Sequence, residues 1–234
     1  VRVRQTDLAG NLSLANTSFA AFTLDTAATA PSLSLTADTG SSSSDRITSN
    51  ANITVAGLEA GASWEYSSDS GTSWTSGTGT SFSLAAGSYS FGQVRVRQTD
   101  LAGNLSPANS SFAAFTIDTA AAAPSLSLTA DTGSSSSDRI TSNANITVAG
   151  LEAGASWEYS SNGGGSWSAG SGSSFSLASS SYAAGKVQVR QTDLAGNLSF
   201  ANTSFAAFTV DTTAPSDRKS TRLNSSHTVI SYAV

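Results

Sequence analysis

Apolar residues in this chain come in short runs that alternate with polar ones: Leu33 and Leu35, Ile53 and Val55, Trp64 and Tyr66, Phe82 and Leu84, Val94 and Val96. A period of two puts one set of side chains on one face of an extended strand, and the Gly, Ser, Asn and Asp clusters between the runs supply turns. The pattern predicts strands over residues 32–36, 51–56, 62–67, 73–75, 81–84, 93–99 and 111–117, with Arg95 and Arg97 pointing outward from the sixth. No helical periodicity competes with it. Seven strands fit a β-sandwich, and Trp64 on the third strand with Tyr89 leading into the sixth is the immunoglobulin-like pattern without its disulfide. The fold class expected is all-β.

The pattern then repeats almost verbatim. Asp7-Leu8-Ala9-Gly10-Asn11 returns from Asp100 and again from Asp193, a spacing of 93 residues, and residues 1–67 differ from 94–160 only at Leu14/Pro107, Thr17/Ser110, Leu24/Ile117 and Thr29/Ala122. A period that long exceeds the roughly 20 to 50 residues of solenoids and propellers and matches one compact domain per copy. The chain therefore reads as beads on a string: a C-terminal fragment of a copy (1–26), two whole immunoglobulin-like repeats of seven strands (27–119 and 120–212), and a tail (213–234). The fragment offers Val1, Val3, Phe19 and Phe22 without an opposing sheet, so it is expected to fray. Because the chain opens inside a copy and closes after the end of another, the sequence reads as a piece of a longer array.

From Asp217 the composition changes abruptly. Asp217-Arg218-Lys219-Ser220-Thr221-Arg222-Leu223-Asn224-Ser225-Ser226-His227 resembles the translation of a short-read sequencing adapter, with Thr228-Val229 standing where an index would be and residues 230–234 continuing the adapter. Such a segment is left out of fold reasoning. It carries three basic residues and one acidic one, so without it the net charge of -5 becomes -7. It also holds the chain's single histidine.

That acidic balance, spread thinly over a Ser-, Thr- and Gly-rich surface, argues against a nucleic-acid partner and for cations. No run of about 20 apolar residues could cross a bilayer. Without cysteine there is no disulfide, no thiolate metal site and no cysteine nucleophile. Before residue 217 there is also no histidine and no phosphate-cradling Gly-rich loop with a lysine, so serine has no base to activate it and an enzyme is not expected. Asp38-Thr39-Gly40 and its copy at Asp131 match the aspartic-protease tripeptide. That chemistry needs two carboxylates sharing a proton, and these lie in separate beads on polar loops.

Val-Asp-Thr-Thr-Ala-Pro at 210–215, Trp-Glu-Tyr-Ser-Ser at 64–68, Ser73-Trp74, and Val-Arg-Gln-Thr-Asp-Leu-Ala-Gly-Asn at 96–104 resemble the bacterial immunoglobulin-like domains of giant repeat adhesins, the biofilm-associated and RTX-type surface proteins. The resemblance covers everything but the tail. It implies a secreted or cell-surface stalk of a Gram-negative bacterium in adhesion or biofilm formation, with calcium stiffening the junctions between neighbouring repeats. Host or matrix glycans and proteins would be met through the parent protein. The Gly-Gly-x-Gly-x-Asp nonapeptides of an RTX secretion region are missing, which leaves the export route open.

Strand polarity then locates the ligands. In a seven-strand sandwich the loop after the second strand (58–61) and the loop after the sixth (100–109) lie at the pole where the preceding bead's last strand ends. Asp25 is expected to meet Glu59 and Asp100, and Asp118 to meet Glu152 and Asp193; Asp211 is the same exit position one period on. Calcium takes six to eight oxygen ligands, which carboxylates, carbonyls, Asn side chains and water supply. Asn104 and Asn197 are further candidates, or simply turn formers. Asp25, Asp118 and Asp211 have an alternative reading too, as acceptors of Asx-turn hydrogen bonds. A different class of function places the binding surface on the hairpins of Trp74 and Trp167, where an exposed indole would stack on a glycan or contact a protein.

Overall fold

The computed structural model of the protein describes residues 1–216; the adapter-like segment from Asp217 lies outside the described residues. Val1–Ala120 together with Leu194–Asn197 forms one compact unit, and Ala121–Asp193 together with the described residues from Leu198 to Ser216 forms the other. No helix of the described residues is long and apolar enough to cross a membrane.

The first unit holds β1 (Ser32–Leu35), β2 (Ile47–Thr48), β3 (Asn52–Ala56), β4 (Ser63–Ser67), β5 (Thr75–Ser76), β6 (Ser81–Ser83), β7 (Gly87–Tyr89), β8 (Arg95–Thr99) and β9 (Phe115–Ile117). They pair as three small sheets, β1-β3-β6, β5-β4-β8 and β2-β9-β7. Every pairing is antiparallel except β2 on β9, which is parallel. Alternation does what the sequence predicts: β8 buries Val96 and Gln98 and turns Arg95 and Arg97 outward, and β3 buries Ile53 and Val55. Their side chains meet Trp64, Phe82, Val94, Phe112, Phe115 and Ile117 in one core, with Leu33, Leu35 and Tyr66 packed around it.

With no disulfide, aromatic contacts consolidate this small core. Tyr66 stacks on Phe82 at 4.0 Å between ring centres and Tyr89 on Phe115 at 5.0 Å, contacts worth about 0.5–1.5 kcal/mol each beyond burial. The Trp64 indole donates to the Gly79 carbonyl at 3.0 Å, so its one polar atom is satisfied.

The second unit repeats the plan with β10 (Ser125–Leu128), β11 (Ile140–Thr141), β12 (Asn145–Ala149), β13 (Ser156–Ser160), β14 (Ser168–Ala169), β15 (Ser174–Ser176), β16 (Ser180–Tyr182), β17 (Gln188–Thr192) and β18 (Phe208–Val210), in the same three sheet orders. Ile146, Val148, Trp157, Phe175, Val187, Val189, Phe205, Phe208 and Val210 fill its core.

Each unit thus has nine strands where seven were expected. The additions, β2 and β7 with their copies, are two and three residues long, too short to show alternation. The last expected strand, 111–117, is extended only at β9. Residues 1–26 contribute a single bridge, Thr6 to Leu12, and no strand. Their apolar side chains stay exposed: Phe19 is 59% and Phe22 61% accessible, where the same positions in the bead, Phe112 and Phe115, are 6% and 4%.

Candidate metal centres

The Asp-Leu-Ala-Gly-Asn segment after β8 builds a tight turn around its own aspartate. Asp100 Oδ1 accepts the Asn104 backbone N–H at 2.8 Å and Oδ2 accepts the Asn104 side-chain amide at 2.8 Å, while Gly103 N–H closes onto the Asp100 carbonyl at 3.2 Å. Gly103 sits at φ +91°, a conformation open to glycine at little cost. The Asn104 amide, helped by the backbone N–H groups of the turn, holds the Asp100 carboxyl below the usual range. Asp100 is 7% exposed, so an ionised carboxylate stands half sealed at the pole of the bead.

Glu59, in the loop between β3 and β4, is held by the chain leading into β1. Its Oε1 accepts the Thr29 N–H at 2.9 Å and the Thr29 hydroxyl at 3.0 Å. Asp25 comes from residues 1–26, and its carbonyl accepts the Asn104 amide at 3.2 Å. One carboxylate oxygen each from Asp25, Glu59 and Asp100 lies within 4.8 Å of the others. Among the described residues no lysine or arginine pairs with any of the three. Three like charges with no counter-ion among the described residues form an oxygen-rich cluster of the kind that suits a hard divalent cation.

In the other set, Asp118 follows β9 in the first unit, whereas Glu152 and Asp193 belong to the second. There Glu152 Oε1 accepts the Ala122 N–H at 2.7 Å, as Glu59 does from Thr29. Asp211, after β18, joins no cluster of three among the described residues. The Asx-turn reading also has its geometry: Asp25, Asp118 and Asp211 each accept through Oδ1 from the residue two ahead, at 3.3, 3.2 and 3.0 Å. One oxygen is used in this way, and a carboxylate has two.

Trp74 and Trp167 are half-buried and already have a partner. The Arg97 guanidinium lies 3.9 Å over the Trp74 ring while bonding Glu65 at 2.6 Å, and Arg190 repeats this over Trp167 at 4.0 Å with Glu158. A face occupied by arginine offers a sugar no stacking surface. In the distal loop, Asp38 Oδ2 accepts the Arg46 N–H at 3.0 Å and Asp45 Oδ1 the Ile47 N–H at 3.0 Å, which are turn-shaping roles. Arg46 itself sits at φ +61° and donates to the carbonyls of Ala113 and Ala114, tying that loop to the last strand.

The pattern reading passed over Gln98. It is fully buried, its amide reaches the Thr29 and Gly57 carbonyls at 2.8 and 3.2 Å, and its oxygen accepts the Glu59 N–H at 2.8 Å. Gln191 does the same in the second unit. A signal existed: with Val94 and Val96 inward, position 98 is a polar residue on the buried parity.

No protein-family model matches the chain. No curated protein matches it either. Among solved structures, the fibronectin(III)-like modules of Clostridium thermocellum CbhA are similar over 77% of this chain and 93% of theirs, with 10% sequence identity and a TM-score of 0.35. The strand order and the core described above define the sandwich without that likeness.

Proposed function

We propose that the chain is a run of spacer beads from a bacterial surface adhesin, stiffened at its junctions by calcium. The beads are structural immunoglobulin-like modules, and their role is to hold a distal binding region away from the cell. The observation that carries the ion is the meeting of Asp25, Glu59 and Asp100 oxygens within 4.8 Å with no basic residue among the described residues to balance them. The same residue types recur one period later at Asp118, Glu152 and Asp193. The setting comes from the resemblance of the repeat to giant adhesins, with neighbouring repeats as the immediate partners. Calcium would join a carboxylate delivered by one bead to two delivered by the next, removing hinge freedom between them.

Extracellular calcium modules bind with dissociation constants of roughly 0.1–1 mM. Titration calorimetry of the full chain is expected to show saturable calcium binding in that range. Glu59→Gln keeps an oxygen for Thr29 and removes one charge, so it should weaken binding at the first cluster and spare the second. Heats that stay at the level of dilution in the unmodified chain would contradict the proposal.

A further inference from the structure

We infer that Gln98 and Gln191 are linker clamps, buried amides that fasten the incoming chain to its bead and confine the hinge between beads to about three residues. The inference goes beyond the calcium reading, because the clamp is complete without an ion.

A primary amide on the inward face of a strand is costly to bury unless all its hydrogen bonds are made. In Gln191 the nitrogen donates to the Ala122 carbonyl at 2.7 Å and the Gly150 carbonyl at 3.3 Å, and the oxygen accepts the Glu152 N–H at 2.9 Å. Glu152 in turn takes the Ala122 N–H at 2.7 Å. Residue 122 is therefore held by both of its backbone polar groups, two residues before Pro124, whose carbonyl is held by Asn202 at 2.8 Å. On the other side, the Asp118 N–H bonds the Thr48 carbonyl of its own unit at 2.9 Å. Between these anchors lie Thr119, Ala120 and Ala121, held only by the local turn bond from the Ala120 N–H to Asp118 Oδ1 at 3.2 Å.

The first unit has the same clamp on residue 29, through Gln98 and Glu59. Position 29 is one of the four at which residues 1–67 and 94–160 differ, Thr29 against Ala122. The clamp tolerates the change because it grips the backbone. Loss of the amide would remove the donor to the Ala122 carbonyl and also the acceptor that fixes the Glu152 N–H, and with it the seat of the Glu152 carboxylate on the Ala122 N–H, loosening residues 122 and 123 and lengthening the hinge from three residues to five.

The chain has no cysteine, so spin labels can be placed on Ser76→Cys and Ala169→Cys, at equivalent exposed positions of β5 and β14. Distance distributions between them, recorded on the full chain in chelator, test the clamp apart from any ion. Gln191→Met preserves side-chain length without hydrogen bonds, and the distribution is expected to broaden by about a third as the hinge lengthens. Gln98→Met acts on the upstream linker and should leave the width unchanged. A folded Gln191→Met chain with the original width would overturn the inference, as would equal broadening by Gln98→Met. Should Gln191→Met fail to fold, hydrogen exchange on the unmodified chain decides: the amides of Ala122 and Glu152 should exchange at least about ten-fold more slowly than that of Ala121. Equal rates would refute the clamp. A chain that passes these tests yet binds no calcium would leave the clamp standing and remove only the ion.

Discussion

Asp100 and Asn104 show how one turn sets the charge state of the pole. The Asn104 amide favours the ionised Asp100, so the folded carboxyl titrates below its unfolded value of about 4. A depressed pKa contributes stability above the unfolded value, and that contribution is lost as the pH falls through the folded one. Asn104→Ala should therefore shrink the acid limb of the stability curve below about pH 4, measured by urea unfolding at several pH values. An unchanged acid limb would mean that the turn does not tune this carboxylate. The sequence marked Asp100 as a ligand candidate from strand polarity alone. Gln98 went unread because its role depends on which carbonyls, Thr29 and Gly57, the fold brings beneath it.

At the scale of elements, the strands with clear alternation, β3, β4 and β8, fall within a residue or two of where the pattern puts them. β2 and β7 escaped because Ile47-Thr48 and Gly87-Ser88-Tyr89 are held by pairing with β9, not by a pattern of their own. The β4–β5 hairpin was legible as a turn, while its reason for Gly77 was not. A Cβ on Gly77 would lie 2.2 Å from the Trp64 ring, and its backbone conformation is otherwise ordinary. In an open strand Gly→Ala is favourable. Here overpacking against a buried indole decides the sign, at about 1–3 kcal/mol. Gly77→Ala should lower the melting temperature of the first bead by about 4–8 °C for each kcal/mol and leave the second transition in place. Equal melting of variant and parent would show that the ring moves aside freely.

For the whole molecule, the contrast between residues 1–26 and 94–119 is instructive. Nearly the same sequence is exposed in one place and buried in the other, because burial needs the facing sheet that only a whole copy supplies. The copy is thus the unit of folding. Calcium at ten times its dissociation constant stabilises the bound state by about 1.4 kcal/mol, enough to bias a hinge and too little to fold a bead. Chelation should leave the β-sheet signal intact while the array becomes shorter and more flexible. Small-angle scattering of the full chain with calcium and with chelator tests this most directly: the account predicts a larger radius of gyration and a longer maximum dimension with calcium, with Asp118→Ala losing the difference at one junction. Superimposable profiles would contradict it and leave a flexible string of beads in place of a stiffened spacer.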